Sequence, residues 1–429
     1  MDLALRDGFL MLIIRLAIAS LFNRRTTALL TILSIAVSVV MLLGVEKIRR
    51  DAKLGFANSV SGTDLIVGAR SGAVQLLLYS VFRMGDATAN VSWATYQAIA
   101  NEPEVAWAVP ISLGDSHSGF RVLGTTTAYF DHFRFGNRQS LEFAQGRVFN
   151  RPFDVVLGAE VAHKLGYMTG ESIVLSHGTG ELELSRHADK PFTVVGLLAP
   201  TGTPVDRTVH VSLAGIEAIH DDWEDGRHQP SGVIGKRPVN PEELVPESIT
   251  AFLVGVKKKS QIFSLQRKIN TMSLEPLMAI IPGVALQQLW DLMRVAEQTL
   301  RIISVFVVFT ALLGMLTVIL AALEARRREL AVLRAVGARP RHLAALLVVE
   351  AGLFSLVGTA LGLLILAGLT TLARPFVLRE FGVPLLPSWP YSGDLALLAA
   401  LIASALLVSL IPAWRAFRMS LSDGLSIRV

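Results

Sequence analysis

The chain contains no cysteine, so no disulfide framework exists to be read, and any part of it in an oxidising compartment is held by packing alone. It also lacks a G-x-x-x-x-G-K-S/T loop, the glycine-rich turn and lysine that cradle nucleotide phosphates, so any ATP hydrolysis belongs to a separate chain. Neither H-E-x-x-H nor G-x-S-x-G occurs, which removes the readiest cases for a zinc protease or a serine hydrolase. Charge is scarce: Asp, Glu, Lys and Arg make up 17% of the residues and apolar ones 52%, where a soluble domain carries about 25% charged residues. The deficit is concentrated in four runs with no charged residue at all, Thr26 to Val45, Ile302 to Leu323, Ala351 to Ala373 and Leu395 to Trp414. A helix rising ~1.5 Å per residue needs about 20 residues to cross a ~30 Å hydrocarbon layer. Buried core helices of a soluble protein would rarely give four such runs with arginines at their ends, so these are read as transmembrane helices.

Lysine and arginine are held on the cytoplasmic side of short loops, and that rule orients the chain. Arg6, Arg15, Arg24 and Arg25 precede the first run, Arg326, Arg327, Arg328, Arg334, Arg339 and Arg341 separate the second from the third, and Arg415, Arg418 and Arg428 follow the fourth. Both termini and the second-to-third connection are therefore expected in the cytoplasm, and the long segment after the first run outside it. The sequence pI of about 9.6 is assigned to lipid headgroups beside the span ends and not to nucleic acid. A signal peptide is the rival reading of the first run. Against it, the preceding segment is itself amphipathic, with Leu5, Phe9, Leu12, Leu16 and Phe22 on one broad helical face.

Between the first and second runs the pattern changes to short β-like stretches split by Gly, Pro and polar residues, the mark of a mixed α/β domain. Strands are expected at Thr63 to Val67, Ala106 to Ser112, Phe120 to Leu123, Asp154 to Leu157, Ser172 to Leu175, Phe192 to Leu198, Thr208 to Ser212 and Thr250 to Val256. Helices are expected at Trp93 to Asn101, Ala159 to Leu165, Ser260 to Thr271 and Ala285 to Leu300, the last running into the second span. His220 to Ser248 is polar and proline-rich and reads as a surface loop or insertion.

The chain is thus an α-helical membrane protein with four transmembrane helices and a large mixed α/β extracytoplasmic domain between the first and second. Its parts are a cytoplasmic amphipathic helix (1–25), transmembrane helices (26–45, 301–323, 343–373 and 395–414) and the extracytoplasmic domain (46–300). A cytoplasmic coupling helix and corner (324–342), a short extracytoplasmic loop (374–394) and a cytoplasmic tail (415–429) complete it.

The most informative stretch is Glu324-Ala-Arg-Arg-Arg-Glu-Leu-Ala-Val-Leu-Arg-Ala-Val-Gly-Ala-Arg-Pro340. Leu330, Leu333 and Val336 fall three apart on one helical stripe, while Arg327, Arg328 and Arg334 face elsewhere. Gly337 suits the left-handed position after a helix end, and Pro340 the first turn of the next helix. A solvated connector would need no apolar stripe; a helix that docks on a partner would.

From Glu324 to Gly362 the chain resembles the MacB/FtsX-type (LolC/E-like) permease family, with its E-R-x-x-E-I/L-A-x-L-R-A-x-G-A loop and a glutamate early in the next span. The matching positions are Arg327 or Arg328, Glu329, Leu330, Leu333, Arg334, Gly337, Ala338 and Glu350. Pro412-Ala413-Trp414-Arg415-Ala416 resembles the family's P-A-x-R-A ending, although Ser420 stands near where a further proline is usual. Val155 to Glu160, Leu165-Gly166, Val194 to Gly196 and Asp206 are similar to the family's extracytoplasmic core. The resemblance implies an ABC transporter permease of the inner membrane, working with a cytoplasmic ATPase dimer and a second permease subunit, identical or homologous. Arg327, Arg328, Glu329, Leu330, Leu333, Arg334, Val336 and Gly337 would then contact the ATPase, and ATP and Mg would be bound there, not here. The cargo implied is a lipoprotein, a peptide or a small hydrophobic molecule, with a periplasmic lipoprotein or adaptor as a further partner. The same motifs also fit a mechanotransmitting scaffold that regulates a cell-wall hydrolase or a sensor kinase.

Among the charge-free runs only Glu350 lies near, at the start of the third, so the spans read as levers and not as a substrate path. Gly358 and Gly362 form a small-xxx-small pair that fits packing within the four helices or a subunit interface. All histidines but His342 lie in the inserted domain, with His210, His220 and His228 nearest in sequence. Their spacing matches no compact ligand motif, so surface histidines are the first reading and zinc handling a minor one.

Overall fold

Apolar runs with no breaker extend as helix until capping or a turn stops them. The computed structural model describes residues 15, 25–177, 185–186, 190–220, 223–224, 227–228, 244–325, 331–332, 334–381 and 391–418. In it the first run lies inside α1 (Arg25–Asn58), which continues well past the charge-free stretch. The amphipathic segment expected before it lies outside the described residues, Arg15 excepted.

The inserted domain follows. Its helices are α2 (Ala73–Phe82), α3 (Trp93–Ala100), α4 (Ala128–His132), α5 (Ala159–Leu165), α6 (Leu213–His220) and α7 (Ile262–Asn270). Its main strands are β1 (Leu65–Ala69), β2 (Val105–His117), β3 (Phe120–Thr125), β4 (Phe143–Gly146), β5 (Asp154–Leu157), β6 (Phe192–Leu198), β7 (Thr208–Ser212), β8 (Ala251–Val256) and β9 (Leu277–Ile280). They form one mixed sheet in the order β9, β1, β8, β2, β3, β7, β5, β6, β4. Parallel pairing joins β3 to β7 and β5 to β6, and α5 supplies the crossover that parallel β5 and β6 require. The parallel strands are buried throughout β5 and nearly so in β7, as strands covered on both faces must be.

The remaining long helices among the described residues are α8 (Pro282–Ala325), α9 (Pro340–Phe381) and α10 (Ser392–Arg418). With α1 they are long and apolar enough to cross a membrane. The chain divides into a helical unit (Met1–Arg50, Val295–Pro375 and Leu385–Val429) and a sheet unit (Asp51–Arg294 and Phe376–Pro384). The helical unit buries Ile35, Val39, Met315, Ile319, Leu347, Phe354 and Leu401 in its core. Leu30, Phe306, Leu364 and Trp414 stay exposed, an inverted distribution that suits hydrocarbon solvent.

Two expected boundaries shift. The loop expected at 374–394 is helical as far as Phe381, because α9 runs on through Pro375; a proline inside a membrane helix removes one backbone bond without ending the helix. The sheet unit begins at Asp51 and not at residue 46, since the last turns of the span extend beyond its charge-free part.

Candidate functional site

The connection between α8 and α9 carries the expected coupling residues. Arg327, Arg328, Glu329, Leu330 and Leu333 lie outside the described residues. Beyond them Val332 and Arg334 are helical, and the helix closes with Val336 N donating to Val332 O at 3.0 Å and Gly337 N to Arg334 O at 3.0 Å. Gly337 sits at φ 107°, a left-handed conformation that a side chain would strain, and α9 opens at Pro340. Val336 is 84% exposed. Its side chain therefore stands outside the packed core of the chain.

Below the corner, Arg415 Nη2 of α10 donates to Glu324 Oε1 of α8 at 2.9 Å. Glu350 is buried within the bundle on α9. Gly358 and Gly362 lie one turn apart on the same helix and receive α1. A side-chain carbon at Gly358 would stand 2.8 Å from Ile35 Cβ, and one at Gly362 would stand 2.7 Å from Val39 Cβ and 2.8 Å from the Ala36 carbonyl. Both glycines therefore serve packing between α1 and α9 of one chain. On its other side α1 meets α8 along a groove of about 700 Å³ lined by Leu30, Leu33, Val37, Ile303, Phe306 and Thr310.

At the opposite helix ends there is a polar cluster that sequence reasoning missed. Arg50 Nη2 donates to both carboxylate oxygens of Asp394, at 3.0 and 3.1 Å, and its guanidinium carbon lies 3.9 Å from the Tyr391 ring centre. Asp394 Oδ2 also accepts from Tyr391 N at 3.1 Å, closing the first turn of α10. Arg49 reaches Glu46 on its own helix and Glu297 of α8 at 3.5 Å. The available signal was an arginine pair ending one span and an aspartate opening another.

In the inserted domain His210 is fully buried on β7, with ring centres 5.5 Å from Tyr129 and 5.8 Å from Phe130. Burial, and then the nearby Arg83 charge, push its imidazole down from 6.5 to about 3, so it is neutral and part of the core. Among the described residues no three His, Asp or Glu side chains gather as a metal site. The surface reading of His210 is thus corrected, and the His220 and His228 side chains lie outside the described ones.

Comparison with known families bears directly on this arrangement of one span, an inserted sheet domain and three further spans. The MacB-like periplasmic core domain matches residues 26–271, and the FtsX-like permease C-terminal domain matches residues 301–421. The chain belongs to the MacB/FtsX permease family. Its membrane helices are those of an ABC transporter permease, and its inserted sheet is the family's periplasmic-type domain. Among solved structures it is similar to the periplasmic region of MacB from Actinobacillus actinomycetemcomitans, at 11% identity and a TM-score of 0.33 over 54% of this chain and 95% of that one. It is also similar to the extracellular domain of the ABC-type transporter YknZ from Gram-positive bacteria, at 12% identity and a TM-score of 0.31 over 51% of this chain and 99% of that one. A comparison with curated proteins finds no match.

Proposed function

We propose that this permease couples ATP hydrolysis by a separate cytoplasmic ATPase dimer to motion of its inserted domain. The observation that carries the reading is the exposed Val336 at the Gly337 corner between two long helices. The expected stripe Leu330, Leu333 and Val336 would seat in the ATPase, with Arg327, Arg328, Glu329 and Arg334 around it. α8 runs unbroken for 44 residues, about 66 Å at 1.5 Å per residue, and belongs to both units of the chain. A helix of that length transmits a push at one end as displacement at the other. ATP and Mg are bound by the partner, a second permease subunit completes the transporter, and the inserted domain acts in the periplasm on a lipoprotein, peptide or small hydrophobic cargo.

The test is to replace Leu333 and Val336 with Asp, singly, and to co-express each with the partner ATPase. A charge forced unpaired into an apolar contact costs several kcal/mol, roughly 2–7 for a buried polar group. The expected result is loss of co-purified ATPase and of ATP turnover, with the thermal stability of the permease unchanged. Parental binding and turnover in both variants would refute the docking role, and collapse of the permease itself would make the stripe internal packing.

A further inference from the structure

Within the sheet unit there is a cleft of about 230 Å³ lined by Gly62, Trp107, His132, Arg134, Arg138 and Lys259. Its walls come from distant parts of the chain. Trp107 stands on β2, His132 ends α4, Arg134 and Arg138 belong to the hairpin that pairs Arg134 with Ser140, and Lys259 begins a short turn of helix before α7. One wall is rigid: the Trp107 and His132 rings stack with centres 4.9 Å apart and planes 5° from parallel. Gly255, opposite Trp107 in the ladder between β8 and β2, leaves room for the indole, because a Cβ there would lie 2.1 Å from Nε1.

The charge of the cleft is unbalanced. Asp64 pairs with Lys259 and also accepts from Val256 N at 2.9 Å, so it neutralises one cation. Arg134 spends one donor on the Phe133 carbonyl at 2.8 Å, and no ion pair engages Arg134 or Arg138 among the described residues. Two guanidinium charges therefore remain in one concave site, where their fields add. A guanidinium fork matches phosphate and carboxylate oxygens, but two uncompensated charges match a dianion better than a monocarboxylate. The volume is below the ~300–1,000 Å³ that encloses a whole drug-sized ligand, so the cleft holds a group and leaves the rest of the molecule outside.

We propose that this cleft binds the terminal phosphate of a phosphate monoester, either a soluble ester or the headgroup of phosphatidic acid. Arg134 and Arg138 clasp the phosphate oxygens, Lys259, its charge balanced by Asp64, offers a further N–H donor at the rim, and the Trp107–His132 stack forms the wall against which the group rests.

The experiment uses the full-length chain in a neutral detergent and phosphate-free buffer, titrated calorimetrically with glycerol 3-phosphate, with short-chain phosphatidic acid and with acetate. Saturable binding of either phosphate ligand is expected, and which one binds identifies the source. Acetate should bind at least about tenfold more weakly, and Arg134→Gln and Arg138→Gln should each weaken phosphate binding by about tenfold or more, the loss of one charge-assisted contact. Arg138 lies exposed at the hairpin turn, so its substitution leaves the fold intact, to be checked by thermal unfolding. Binding of neither phosphate ligand, equal affinity for acetate, or undiminished binding by a folded Arg138→Gln variant would overturn the proposal.

Discussion

Arg50, in the later turns of α1, and Asp394, in the first turn of α10, form a two-point ion pair, with Arg50 Nη2 3.0 and 3.1 Å from the two carboxylate oxygens. Asp394 has only 2% of its side chain exposed. A carboxylate that dry needs its cation, and the cation needs it in return. Removing one member of a buried pair costs about 3–5 kcal/mol because the other is left uncompensated. Asp394→Ala and Arg50→Ala are each expected to lower stability by about that much, while the double variant should lose clearly less than the sum. Thermal unfolding in nanodiscs closes the cycle; strictly additive losses would mean that the pair is not formed.

The glycines of α9 invite a comparison. A methyl group at Gly358 or Gly362 meets α1 closer than 3 Å, whereas one at Gly314 of α8 meets nothing within 4 Å. Gly358→Ala and Gly362→Ala should each destabilise the bundle by about 1–3 kcal/mol through overpacking. Gly314→Ala should be neutral or stabilise by up to about 1 kcal/mol through helix propensity. Should all three behave alike in thermal unfolding, close approach of α1 to α9 is not what these positions serve.

Acid should weaken the inserted domain through His210. Its folded value of about 3 lies below the ordinary 6.5, so between these values the unfolded chain binds a proton that the folded chain does not. Stability is therefore whole above about pH 6.5 and falls as the pH drops towards 3, by about 2 kcal/mol at pH 5. Comparing denaturant unfolding of the parent and of His210→Leu at pH 7.5 and 5.0 isolates this contribution. The variant should lose less stability on acidification, and parallel losses would remove His210 as the cause.

Topology is open to direct labelling, because the chain has no cysteine of its own. Ser260 and Arg341 are both exposed, and the arginine asymmetry predicts that they lie on opposite sides of the membrane. In intact cells an impermeant thiol reagent should modify Ser260→Cys and spare Arg341→Cys. The reverse pattern would invert the orientation.

Much of the sheet was legible because its strands are short, apolar and punctuated. β5, β6 and β7 begin and end where the pattern says, and α5 has its expected bounds. α2 was not legible. It buries Leu76, Leu77, Tyr79, Ser80, Val81 and Phe82, with only Leu78 among them half-buried, and a helix covered on nearly every side shows no 3.6-residue alternation. β4 was missed for the opposite reason: its side chains are largely exposed, and it exists through backbone pairing with β6. In the coupling segment, the corner at Gly337 and Pro340 could be read because left-handed and helix-opening positions select residue types locally.

By itself the sequence determined the four spans, the inserted mixed domain and the helical corner, because each depends on hydrophobic length, local period or a backbone conformation that few residues tolerate. Only the tertiary structure decided which partners these parts have. Whether Gly358 and Gly362 face α1 or another subunit, whether Arg50 finds Asp394 across 344 positions of chain, and whether His210 is surface or core all turn on close packing between distant segments. That packing is a sum over many neighbours, and no single stretch of sequence contains it.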